Sequence, residues 1–237
     1  MLVLVKLRLG LTEQHLADSF GVTFSTVSKL FKTWINLLYY ELIGLIAWPS
    51  RELVEIHRPQ CFARYPRTRV VIDCSEFQVE KPKTPTAQRI TWSEYKQRNT
   101  VNCLFGISPS GAFTFVSNVW SGSVSDREIT QKCGFLDLLE PGDDVMADRG
   151  FKVRDLLLVK KCTLNIPPST TGKPLSRKQV TKTRRIASAR IHVERAIERI
   201  KNFKILQGVI PLTLKPVIDQ IVVVCAALCN MYPKLAK

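Results

Sequence analysis

The sequence predicts an α/β protein, a mixed sheet flanked by helices, preceded by a small all-helical unit. Three observations predict it. Short apolar runs of the kind that lie inside a sheet end in Asp73 and Asp148, stretches of helical spacing separate and follow them, and residues 12–38 carry a helical period alone. At 237 residues and 45% hydrophobic content, the chain holds one sizeable core and a satellite unit, which excludes a disordered tail.

Residues 12–38 show a helical period, a break at Gly21-Val22, and a second period through Val27, Leu30, Phe31 and Trp34. The spacing is that of a helix-turn-helix. With Glu13 as position one, Ala17 is small at the fifth, Gly21 turns at the ninth and Val27 is buried at the fifteenth. Ser25, Thr26, Ser28, Lys29 and Lys32 then lie on the exposed face of the second helix, within reach of phosphates and base edges. A plain helical hairpin packed on the larger domain has the same pattern, and four basic against two acidic residues in 1–40 make this unit alone a weak binder. We therefore divide the chain into a helical unit over 1–47, a proline-broken linker over 48–68 and a main domain over 69–232.

Strands follow at 69–74, 101–107 and 112–119, with Ser108-Pro109-Ser110-Gly111 as the turn between the last two, so the sheet starts antiparallel. A helix over 126–139, a strand over 145–148, a helix over 153–160 and a strand over 162–166 imply parallel additions. A basic loop after Pro167-Pro168, a long helix through Phe203 and an apolar helix over 214–232 complete the chain. The run Ile221 to Leu228 is too short to span a bilayer, and the N-terminus lacks a signal-like apolar region, so a soluble, unsecreted protein is expected. Seven cysteines, odd in number and without a Cys-x-x-Cys pair, read as reduced thiols, and three scattered histidines argue against zinc.

A formal charge of +15 implies a polyanionic partner, with nucleic acid leading. The charge is concentrated: eleven Lys or Arg stand against Glu194 and Glu198 between Ser169 and Lys204. Asp73 and Asp148 each end an apolar run, and Glu194 sits inside that basic segment. A carboxylate entering a core must be paired, protonated or metal-bound. Any one of these acids alone reads as the cap of a strand or turn, but the three together suit two divalent ions about 3.5–4 Å apart acting on a phosphodiester. Hard oxygen ligands select Mg²⁺ or Mn²⁺. Among neighbouring acids, Asp143 and Asp144 begin their strand and are expected to be solvated. Glu76 is expected to alternate away from the site, Glu198 to be an ion-pair partner on its helix, and Asp126 to N-cap the helix that follows it. Arg149 and Lys152 stand just beyond Asp148, for phosphate or for surface ion pairs.

The segments Val-Ile-Asp-Cys-Ser-Glu-Phe, Ser-Gly-Ser-Val-Ser-Asp-Arg-Glu-Ile, Val-Met-Ala-Asp-Arg-Gly-Phe, Arg-Ile-His-Val-Glu-Arg-Ala-Ile-Glu-Arg-Ile-Lys and Val-Cys-Ala-Ala-Leu-Cys-Asn resemble the DDE superfamily endonucleases of the PIF/Harbinger transposase group. The likeness covers about 69–232, with 12–38 resembling the group's transposase helix-turn-helix. It implies a ribonuclease H-like core, a divalent-metal site, cleavage and transfer of double-stranded DNA at transposon ends and target, and action in the nucleus. Carried over, the triad falls on Asp73, Asp148 and Glu194, with Asp126 as a secondary site candidate. Arg177, Lys178, Lys182, Arg184, Arg185 and Arg190 are expected to neutralise the DNA backbone beside the cut. A Myb-like DNA-binding partner and a homodimer are further expectations of the resemblance. A DNA-binding protein derived from such a transposase, no longer cutting, is the alternative reading.

Overall fold

Three helices come first, α1 (Leu2–Leu9), α2 (Glu13–Phe20) and α3 (Phe24–Leu42). The structure, a computed structural model, describes residues 1–168, 177–233 and 235, the side chains of residues 177–179, 182, 185 and 192 excepted. Thr12 and Thr23 cap α2 and α3 by accepting the backbone N–H of His15 and Thr26, and Gly21 ends α2 at φ 63°. Leu16, Ala17 and Val27 close a small core between α2 and α3, as the helix-turn-helix spacing predicts. Leu30 and Trp34, expected on the buried stripe of α3, are exposed. Val27, Phe31 and Ile35, each four residues from the next, form that stripe instead.

Helix α1 brings this unit onto the larger body. Val3 and Leu7 share one buried cluster with Phe31, Ile35 and the sheet residues Val71 and Phe77. Gly10 ends α1 at φ 64°, where an added Cβ would fall 2.9 Å from the Lys204 carbonyl carbon. The helical unit and the sheet therefore share a core rather than meeting through a linker alone.

Helix α4 (Arg51–Ile56) leads to the long strand β1 (Thr68–Gln78), and then α5 (Pro85–Thr91), β2 (Trp92–Ser93), β3 (Arg98–Ile107), β4 (Phe113–Val116), β5 (Trp120–Ser121) and α6 (Asp126–Lys132). The rest is β6 (Asp144–Met146), α7 (Arg154–Val159), β7 (Thr163–Asn165), α8 (Arg177–Lys201), α9 (Lys204–Gln207) and α10 (Ile218–Asn230). Among the described residues these strands form one mixed seven-stranded sheet. β1 pairs antiparallel with β3, whose other neighbours are β2, β5 and β4, while β6 adds parallel to β1 and β7 parallel to β6. The antiparallel start and parallel additions agree with the sequence expectation. So does the 108–111 turn, closed by the Ser108 N–H on the Ala112 carbonyl. Gly134, at φ 82°, splits the helix expected over 126–139 into α6 and a 3₁₀ turn at Phe135–Leu138.

Alternation along β1 sends Val71 and Phe77 to the face covered by α8 and α10, and Val70 and Ile72 to the opposite face beside Phe135 and Leu157. Leu212–Asn230 is apolar and long enough to cross a membrane, longer than the Ile221 to Leu228 run suggested, yet Ile221, Val222 and Val224 to Ala227 are fully buried against the sheet. Asp143 and Asp144 are buried too, contrary to expectation. Asp143 receives Arg51 Nε at 2.9 Å and the Glu140 N–H, and Asp144 meets Arg67 and the Thr163 hydroxyl. Arginines from α4 and the segment before β1 supply the countercharge that makes burial there tolerable.

Candidate active site

The pairing of β1 with β6 stops at Val71 opposite Met146. Asp73 and Asp148 each lie two residues beyond that pair, so the two acids leave the sheet level with each other where the parallel strands part. β1 runs on to Gln78, held on its other edge by β3, and its edge beyond Val71 is open. A cavity of about 300 Å³ forms at this opening, lined by Asp73, Asp126, Asp148, Glu76, Asn102 and Lys201 among others.

The open edge explains how residues of opposite parity meet. Asp73 is on the α8 face of β1, while Cys74, Glu76 and the β3 residue Asn102 point to the other face, and the cavity wraps round the edge between them. Glu76, expected to alternate away, does change face and yet lines the same cavity, where its carboxylate accepts the Thr100 hydroxyl at 2.8 Å. Asp126 does not cap α6. Ser125 does so, leaving the Asp126 carboxylate to accept the Asn102 amide at 3.1 Å.

Electrostatics single out Asp73. Burial pushes its carboxyl up to about 6, opposed by Arg190 and Lys201 and reinforced by Asp148 and Asp126. Asp148 accepts its neighbour Arg149's N–H at 2.7 Å and Arg190 Nη1 at 3.0 Å. Arg190, expected on the DNA backbone, thus rests on a proposed metal ligand. Lys201 faces Asp73, and its burial lowers its own ammonium pKa against that attraction. Arg190, Glu194 and Lys201 recur at helical spacing along one side of α8. Glu194 is exposed one turn from Arg190 and does not line the cavity.

The described residues therefore bring Asp73, Asp148 and Asp126 together and leave Glu194 on the adjoining helix. Among them no group of three or more His, Cys, Asp or Glu forms a ready-made metal cage. The donors nevertheless suit a hard divalent cation. They are carboxylates on a half-open strand edge, one raised by burial, beside an Asn102 Oδ1 that is buried and unpaired among the described residues.

On the helical unit Ser25 and Lys29 are exposed, and Thr26, Ser28 and Lys32 are half-buried. The Ser25 and Thr26 hydroxyls meet Thr23 at 3.0 and 2.8 Å, which binds them into the cap. Arg184 is exposed, and the side chains of Arg177, Lys178, Lys182 and Arg185 lie outside the described residues. Glu198 is exposed and has no ion pair among the described residues, unlike the partner role expected of it. Arg149 and Lys152 are both exposed beyond Asp148. Glu76 was expected to face away, and Asn102, Tyr95, Lys96 and Lys201 carried no expected role at the site; their place follows from the β1–β3 register and the α8 face rather than from any local pattern.

A mixed sheet that sets two acids level at the ends of parallel strands, with a basic helix alongside, is an α/β architecture that places a carboxylate site beside positive charge. Comparison with known families agrees. Residues 72–230 match the family described as DDE superfamily endonuclease, and residues 1–43 match the helix-turn-helix of DDE superfamily endonuclease. The chain belongs to the DDE superfamily endonucleases, and its sheet is consistent with their ribonuclease H-like core. It is also 22% identical over 235 residues to the Protein ALP1-like of Arabidopsis thaliana, an alignment covering 91% of this chain and 55% of the relative. The chain spans about half the length of that relative. No solved structure matches it.

Proposed function

We propose that the protein is a divalent-metal-dependent DNA endonuclease and strand-transfer enzyme of a cut-and-paste transposon of the PIF/Harbinger type, acting in the nucleus. The observation that carries this reading is the level placement of Asp73 and Asp148 at the open edge of β1, with Asp73 half-buried and its carboxyl raised by desolvation. Asp73 and Asp148 would hold Mg²⁺ or Mn²⁺, with Asp126 beside them and Glu194 reaching in from α8 once Arg190 leaves Asp148. Two such ions supply Lewis-acid stabilisation of a phosphodiester under attack by water or by a 3′ hydroxyl. Lys201, facing Asp73, neutralises phosphate oxygen near the cut, and the exposed Arg184 adds positive charge on another side of α8. Ser28, Lys29 and Lys32 of α3 meet the duplex at a distance from the cut. A Myb-like partner supplying further DNA affinity and a homodimer joining two DNA ends belong to the same proposal, since the helical unit is weakly charged.

One observation favours a second reading, a transposase-derived DNA-binding protein that no longer cuts. The Arg190 guanidinium lies 3.0 Å from Asp148 and neutralises the carboxylate that a cation would need. Nicking of supercoiled plasmid in Mg²⁺, Mn²⁺ or EDTA separates the two. Loss of cleavage in EDTA and in both Asp148→Ala and Glu194→Ala supports the endonuclease. Gel-shift binding without cleavage under any metal supports the binder.

A further inference from the structure

We infer that Tyr95 is a stacking platform for an unpaired nucleobase of the strand being cut, with Lys96 on the adjoining phosphate. The inference rests on the endonuclease reading and concerns the same cavity, which Tyr95 and Lys96 both line together with Asp73, Asp126 and Asp148.

β1 and β3 are antiparallel neighbours, yet no tight hairpin joins them. The connection carries α5 and β2 and then a turn over residues 93–98 that is built for rigidity. Ser93 is buried, its hydroxyl accepts the Lys96 N–H at 3.1 Å, and its carbonyl accepts the Gln97 N–H at 2.8 Å. The Gln97 amide donates to the Glu94 carbonyl at 2.6 Å, and Arg98 donates to the Lys96 carbonyl at 3.1 Å and to Gln78 Oε1 at 2.9 Å. Gln97 is held at φ 53°, a conformation that costs a residue with a side chain about 1 kcal/mol or more. At the tip of this turn Tyr95 is 83% exposed, so its ring contributes little to folding.

The Lys96 ammonium stands 4.7 Å from the Tyr95 ring centroid. An aromatic ring on a preorganised turn loses little entropy on binding, and every base offers a face for it to stack on. Inside a duplex that face is already covered by the neighbouring base pairs. The ring therefore suits a base that has left its stack, as at a melted or cleaved end. The cavity acids repel phosphate, and Lys96 with Lys201 offsets that repulsion on the side where the strand must enter.

The test is binding of a short single-stranded oligonucleotide carrying 2-aminopurine, and of its fully paired duplex, in Ca²⁺, by wild type, Tyr95→Ala and Tyr95→Phe. Tyr95→Ala is expected to weaken single-strand binding by about 5- to 150-fold, with Tyr95→Phe within about twofold of wild type and duplex affinity unchanged in both. Equal single-strand affinity of Tyr95→Ala and wild type overturns the inference, as does an equal loss in Tyr95→Phe. Plasmid nicking by the wild type reports separately on the parent reading. If it is absent while single-strand binding depends on Tyr95, the endonuclease is lost and the platform stands.

Discussion

Asp73 and Asp148 stand level across the parted ends of β1 and β6, each two residues past the last paired couple, Val71 and Met146. The relationship depends on a difference in strand length. β6 ends at Met146 while β1 continues to Gln78, so a carboxylate on each strand can reach one point from different directions.

Burial of Asp73 makes metal-free stability depend on pH. Its carboxyl in the folded protein lies near 6, above the ordinary value of 3.8, so the folded state holds the extra proton. Its contribution favours folding below about pH 4 and is lost as pH rises through about 6. Asp73→Asn is predicted to match wild type near pH 4 and to exceed it by up to about 3 kcal/mol above pH 6.5. Urea denaturation in EDTA across that range checks this, and a pH-independent difference contradicts it.

Arg190 competes with cation for Asp148. Arg190→Gln removes the 3.0 Å contact, and because Asp148 is half-exposed the cost in metal-free stability is expected to stay within about 1 kcal/mol. Mn²⁺ affinity should rise by up to about fivefold, the same free energy read on the other side of the equilibrium. Unchanged or weaker Mn²⁺ binding in a titration of the variant counts against a competing role.

Gly10 couples the helix-turn-helix to the body. Gly10→Ala forces a left-handed residue and drives its Cβ onto the Lys204 backbone, at a predicted cost of about 1–3 kcal/mol. Thermal unfolding measures it, and an unchanged transition would mean that α1 and α9 do not need this close approach.

The helix-turn-helix was legible because its signals are local. Ala17, Gly21 and Val27 each act within one turn of helix. Helix α1 escaped notice since Leu-Val-Leu-Val-Lys-Leu-Arg-Leu is apolar nearly all round and places a lysine in its buried stripe. Asp73 and Asp148 were readable from the apolar runs before them, whereas Glu76 and Lys201 were not. Their approach depends on where β6 stops and on the angle at which α8 crosses β1, and neither is written in a short window. Asp143 and Asp144 misled for a related reason: their arginine partners lie some seventy-five to ninety residues earlier in the chain.

Lys29 on the exposed side of α3 tests the DNA-reading role of the helical unit. Lys29→Gln is expected to weaken duplex binding evenly across sequences and to lower the slope of log affinity against log salt by about one. A slope equal to that of wild type would remove Lys29 from the interface.

Titration of the purified protein with Mn²⁺, followed by calorimetry at pH 7.5, examines the Asp73 and Asp148 pair most directly. Wild type is predicted to bind Mn²⁺, and Asp73→Asn and Asp148→Asn each to lose at least the roughly 10- to 100-fold that even an indirect supporting group supplies. Binding of equal strength in all three proteins would contradict a metal centre at this strand edge.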